Sequence, residues 1–141
     1  MTSREETDAA AEEYIKILNE IRSRNIQSCI SIKPTQLGLA IDKTLYKSHL
    51  ERIVRNAESL GNFVWIDMES SGYTADTVGF YLDLRRNFDN VGIAIQAYSR
   101  RSEEDVGRVV DSGGAVRLCK GAYNESPEVV YKKRKQIDEN Y

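Results

Sequence analysis

Four short runs each end in side chains that can hold or move charge. Lys33 closes SCISIK, Asp67 and Glu69 lie in FVWIDMES, Gln96 and Tyr98 in VGIAIQAY, and Arg117, Lys120 and Tyr123 in AVRLCKGAY. Together they offer cations, carboxylates, an amide and phenols, but no serine or cysteine beside a base. Nucleophilic acyl transfer needs such a pair, usually with histidine as the base. The single histidine, His49, falls on the helix after the first run, away from the other residues. Two chemistries stay open on residue types alone. One is a Schiff base on Lys33 or Lys120 in an aldolase-like barrel; the other is an organic cofactor whose chemistry needs only positioning and charge.

These residues share one face because side chains alternate along a strand. One set is apolar in every run: Ile30 and Ile32; Val64, Ile66 and Met68; Ile93 and Ile95; Val116 and Leu118. It is the face expected to pack under helices. The other set runs Cys29, Ser31, Lys33; Trp65, Asp67, Glu69; Ala94, Gln96, Tyr98; Arg117, Cys119, with a polar group arriving toward each carboxyl end. Parallel α/β sheets and barrels build their sites from the carboxyl ends of several strands. Arg117 lies two residues inside its strand, where a buried guanidinium requires an anion or several acceptors.

The elements that must position this face follow from periodicity. Strands are expected at 28–34, 63–70, 91–98 and 115–123. Helices are expected at 8–24, 44–60, 74–88 and 102–111, the last opened by a capping-box-like Ser102 and Asp105 with Val106, Val109 and Val110 facing inward. Ser126 and Pro127 read as the N-cap and first position of a final helix. Strands and helices alternating in this way make successive βαβ units and a parallel sheet.

Composition narrows the setting. The chain has 141 residues and a net charge of -2 from 20 basic and 22 acidic side chains, mixed along its length. That suits one domain and gives no polybasic surface for nucleic acid or an anionic membrane. Cys29 and Cys119 read as buried, reduced thiols, and no Cys-x-x-Cys or His-x-x-x-His spacing exists to hold a metal. The first residues are polar and acidic, without the apolar core of a signal peptide, and no run approaches a membrane span. A cytoplasmic protein is expected.

Four ordered motifs then resemble the proline dehydrogenases: SIKPTQLGL (31–39), IDMESS (66–71) followed by Thr74, VGIAIQAYSRR (91–101) and VRLCKGAYNE (116–125). The resemblance covers about residues 26–141. It implies a distorted (β/α)8 barrel that binds FAD, oxidises L-proline to Δ1-pyrroline-5-carboxylate and passes electrons to a quinone, with peripheral contact at the inner membrane. By motif, Lys33 resembles the lysine beside the substrate carboxylate, Asp67 the aspartate of the same polar wall, and Tyr123 the tyrosine shielding the pocket. Gln96 resembles the glutamine on the flavin ring and Arg117 the arginine near its reactive nitrogen. Gly121 and Ala122 resemble backbone lining the cofactor. Lys120 belongs to the motif without a direct role. Ser99 and Cys119 depart from the common leucine and valine.

Such a barrel needs about 250 residues, whereas this sequence offers the equivalent of four strands. The Ala-Thr-His segment and the late Tyr-x-x-Arg-Arg helix of the family have no counterpart here. The expectation is therefore an α/β fold, a partial (β/α)8 TIM-type barrel at 26–141 preceded by an N-terminal helix at 1–25. As a fragment it would have open edges suited to self-association or to pairing with the missing barrel half. A non-catalytic association module, or half of a split enzyme, is the alternative without chemistry.

Overall fold

Apolar residues at every second position of the strand segments, and at three- to four-residue spacing between them, dictate a layer of helices on a layer of strands. The structure, a computed structural model, describes residues 3–141. Strands β1 (Ile30–Ile32), β2 (Val64–Ile66), β3 (Val91–Gln96) and β4 (Ala115–Cys119) are parallel and lie in the order β1-β2-β3-β4. Helix α1 (Arg4–Ser23) precedes them; α2 (Lys43–Ser59), α3 (Thr74–Arg85) and α4 (Ser102–Asp111) are the crossovers, and α5 (Arg134–Asn140) follows β4. Strands added in sequence order, with every crossover returning to one face, form an arc of a barrel; a doubly wound sheet would reverse its order at a switch point.

The core lies between that arc and its helices. Ile30, Ile32, Val64, Ile66, Ile93 and Ile95 are buried against Leu50, Ile53 and Val54 of α2, Val78 and Tyr81 of α3, and Val109 of α4. Each such side chain contributes about 1.5–3 kcal/mol when fully buried, so the apolar parity set is what fixes strand register. Helix α1 packs on α2 through Leu18 and Ala11, with an ion pair Arg52–Glu12 between the two helices and His49 Nε2 2.9 Å from Asp8 Oδ1. Its first turn is closed by a capping box: Glu6 N donates to Ser3 Oγ and Ser3 N to Glu6 Oε2, both at 3.2 Å.

Several boundaries and burials differ from expectation, each for a local reason. Helix α1 starts at Arg4 because Ser3 caps it ahead of the apolar pattern. The strands are shorter at their carboxyl ends, where the chain leaves the ladder: Pro34 opens a 3-10 turn at Pro34–Leu37, another forms at Ser71–Tyr73, and Gly121 takes φ 130°. Helix α4 has the expected span but no side-chain cap; Asp105 instead turns back to Arg101 Nε and Nη2 at 2.6 and 2.9 Å. Val109 is buried and Val106 partly so, while Val110 is 62% exposed, one step off the core stripe. Ser126 and Pro127 open no helix: Val130 makes a bridge to Ser99 and α5 begins only at Arg134. Cys29 and Cys119 are exposed rather than buried, because both belong to the polar parity set on the open face. Arg117 is also 44% exposed in its side chain, since β4 is an edge strand.

Candidate active site on the concave face

Register places the polar set in rows. Ile32, Ile66, Ile93 and Val116 align across the sheet, so the next residues along, Lys33, Asp67, Ala94 and Arg117, form one row on the opposite face. In that row Arg117 Nη2 donates to Asp67 Oδ1 at 2.5 Å, and Lys33 Nζ to Asp67 Oδ2 at 3.4 Å. Arg117 Nη1 also donates to Ser31 Oγ at 2.9 Å. On a flat sheet, strands three places apart lie about 14 Å apart. A single hydrogen bond from β4 to β1 therefore reflects how far the sheet curls toward this face. One carboxylate thus holds two cations, and the concave face presents their remaining donors to solvent.

Lys33 is held above its ordinary pKa: partial burial pushes it down, but the charge of Asp67 and the hydrogen bond to it outweigh that, with Tyr123 and Glu69 acting more weakly in the same direction. Tyr14 of α1 supports the row from the side, accepting from Lys33 N at 3.3 Å and donating to Gln36 Oε1 at 2.6 Å. Burial raises its phenol pKa, partly offset by the Lys33 N–H.

The upper row closes the ends of the strands onto one another. Glu69 accepts from Thr35 N and Oγ1 at 2.8 and 2.7 Å, tying the end of β2 to the turn after β1. Gln96 is buried; its Nε2 donates to Met68 O and Glu69 O at 3.2 Å, and its Oε1 accepts from Ala122 N at 3.4 Å. Both amide hydrogens of Gln96 are engaged by backbone, leaving its carbonyl oxygen as the group with a lone pair to offer. Gly121 lies against the Tyr98 ring so closely that a Cβ there would enter the ring. Tyr98 OH accepts from Tyr123 N at 3.2 Å, and burial raises the Tyr98 pKa against the lowering by that N–H. The Tyr123 side chain is exposed at the rim.

The structure brings Lys33, Asp67 and Arg117 together and sets Gln96 beside Ala122, with Tyr123 within electrostatic reach of Lys33. Lys120 is elsewhere, paired with Asp138 at 2.5 Å and lying 5.5 Å from the Tyr141 ring centroid. Four participants were not given roles from sequence. Ser31 and Trp65 had a signal, the parity of the site residues. Tyr14 had none, since a helix residue gives no sign of the strand end it reaches. Glu125 also had none: it accepts from Ser71 N and Oγ, both at 2.8 Å, and so ties the loop after β4 to the one after β2. A cavity of about 20 Å³ lies beneath Gln96 and Tyr98, room for one water. That volume is too small for a ring-sized ligand.

Comparison with known proteins agrees with this architecture. A family model described as proline dehydrogenase matches residues 1–141, α1 included. The chain is 35% identical over 130 residues to proline dehydrogenase 2 of Bacillus subtilis (strain 168), covering 92% of this chain and 43% of that protein. It is 33% identical over 136 residues to proline dehydrogenase 1 of the same strain, covering 96% and 45%. Among solved structures, proline utilization A with proline bound in remote sites superposes with a TM-score of 0.79 at 19% identity, over 98% of this chain and 18% of that one. A Bradyrhizobium japonicum proline utilization A variant gives 0.74 at 18%, over 96% and 18%. These two show a shared fold. The chain spans less than half the length of the curated relatives it matches. With the whole of its length inside the family model and about a third of its residues identical to those relatives, the chain belongs to the proline dehydrogenase family.

Proposed function

We propose that this chain supplies the substrate- and cofactor-facing wall of a site that oxidises L-proline to Δ1-pyrroline-5-carboxylate with FAD, the electrons passing on to a quinone, with peripheral membrane contact for that step. The observation that carries the reading is the row in which Asp67 holds Lys33 and Arg117 on the concave face at the carboxyl ends of the strands. The donor set suits a flavin. A guanidinium has five N–H donors, and those of Arg117 not given to Ser31 and Asp67 remain for an electron-rich ring.

When bound, FAD would accept a hydride from the carbon beside the proline nitrogen. The residues of this chain do the rest by placement and charge. Arg117 would offer positive charge to the electron-rich reduced ring. Lys33, kept protonated by Asp67, is ready for the proline carboxylate. Asp67 keeps the two cations from moving apart. Tyr123 at the rim shields the pocket, Gln96 has its carbonyl oxygen for the cofactor, and Gly121 and Ala122 line it with backbone. The same geometry disfavours the aldolase reading. A Schiff-base lysine must lose its proton before attack, whereas Lys33 is shifted the other way and Lys120 is paired with Asp138. Pairing partners for the open edges of β1 and β4, whether further strands or a second copy, belong to the same proposal.

The test is a visible spectrum of the 141-residue chain after gel filtration with FAD, repeated with proline under anaerobic conditions. Retained flavin absorbance that bleaches with proline is the expected result. A chain that elutes colourless, and stays so when co-expressed with the remaining segment of a curated relative, overturns the reading.

A further inference from the structure

Trp65 has no role in the function proposed above, yet the row beneath the ion-paired side chains is built around it. Ser31, Trp65, Gly92 and Ala115 stand side by side across the four strands, and Trp65 is the one large member. A Cβ on Gly92 would collide with the benzene ring of the indole. Glycine at 92 is therefore what lets the ring lie down across β3; even a methyl group would lift it. Phe63, with its ring centroid 5.0 Å from that of Trp65, packs beside the indole at a tilt. The floor of the concave face is thus an apolar plate seated in a slot cut for it.

Arg117 rises from the next row up on β4 and folds its guanidinium over this plate, its Cζ 5.5 Å from the ring centroid. Hydrogen bonds to Ser31 Oγ and Asp67 Oδ1 hold the edges of the guanidinium. Edge contacts alone leave a long, flexible stem free to tilt about them, whereas stacking on an aromatic face fixes the plane and its height. We propose that Trp65, seated over Gly92, is a positioning residue for Arg117, setting how far its charge stands above the concave floor. The consequence for a bound flavin rests on the function proposed above; the pose of Arg117 does not.

Side-chain NMR of Arg117 in the 141-residue chain separates the two. In the wild-type chain the Arg117 side-chain protons are expected upfield of those of an arginine with no aromatic neighbour, through the ring current of the single tryptophan; Arg55 over Phe88 and Arg100 over Tyr131 carry displacements of their own, which the Trp65 and Gly92 variants leave in place. The displacement should persist in part in Trp65→Phe and vanish in Trp65→Leu and Gly92→Ala. The last variant is decisive if Trp65→Leu fails to fold, because it keeps the indole and changes only where it lies. Absence of the displacement in the wild-type chain, or its survival in Trp65→Leu or Gly92→Ala, overturns the proposal. If the chain also binds FAD, Trp65→Leu lowers the potential of the bound flavin and Trp65→Phe restores most of it; an unchanged potential with a lost ring-current shift would retain the positioning and remove its link to the cofactor.

Discussion

Asp67 is the residue on which the site's charge balance depends. It is partly buried and accepts from both Arg117 and Lys33, so Asp67→Asn leaves two cations facing each other with one neutral acceptor between them. Pairs this exposed contribute no more than about 1 kcal/mol each to stability, and the fold should survive. Proline-dependent flavin bleaching should nevertheless fall by at least about tenfold, equivalent to ~1.4 kcal/mol of barrier. Anaerobic stopped-flow on the two proteins checks this, and equal rates would remove Asp67 from the site. Glu125 provides a pH test. The Ser71 N–H first, and the Ser71 hydroxyl second, hold its pKa below the usual carboxylate range. A group with a depressed folded pKa contributes stability that is present above its unfolded value and lost as the pH falls through the folded one. The clasp between the two loops should therefore open only in acid below the ordinary glutamate range. Ser71→Ala removes the second cause and leaves the first, so the Glu125 carboxyl signal in an NMR titration should move part of the way back toward the usual value.

At the scale of elements, the parity set that fixes register is also where stability resides. Ile66 is fully buried at the centre of the core, and Ile66→Ala should cost about 2–5 kcal/mol in urea unfolding. Most of these elements were legible. The helix stripes and the strand alternation are local signals, and α2, α3 and α4 lie within a few residues of expectation. The failures share a cause in contacts distant in sequence. Ser102 looks like a helix cap but is buried and accepts instead from Asn140 Nδ2 at 2.7 Å. Ser126 and Pro127 look like a helix start and do open a single turn, with Val129 N and Val130 N donating to Ser126 O, but hydrogen bonds from Arg100 N to Val129 O and from Tyr131 N to Tyr98 O stop it there. Cys29 and Cys119 sit in apolar runs, yet burial depends on which face of the sheet is covered, and a run of letters does not say which. The candidate site was legible for the opposite reason: four strand ends on one parity meet whenever the strands are parallel, whatever the details between them.

For the whole molecule, the sheet has two edges with which no strand pairs among the described residues. Unpaired edges are templates for further strands. Beside the β4 edge, Val110 is exposed and Val116 and Leu118 are only partly covered. Light scattering of the chain should show mass rising with concentration. Val110→Lys should reduce that rise while changing stability by no more than about 0.5 kcal/mol, and a strictly monomeric profile at every concentration would show that these edges do not associate. No helix among the described residues is long and apolar enough to cross a membrane. The hydrogen bond from Arg117 to Ser31 joins the last strand to the first across 86 positions of sequence. Contacts of such separation form after the loops they close, and this one requires every intervening strand to be in place. It is therefore a late event in the chain's own history: the chemical wall is assembled after the scaffold, and a defect confined to it should hasten unfolding while leaving the speed of folding almost untouched.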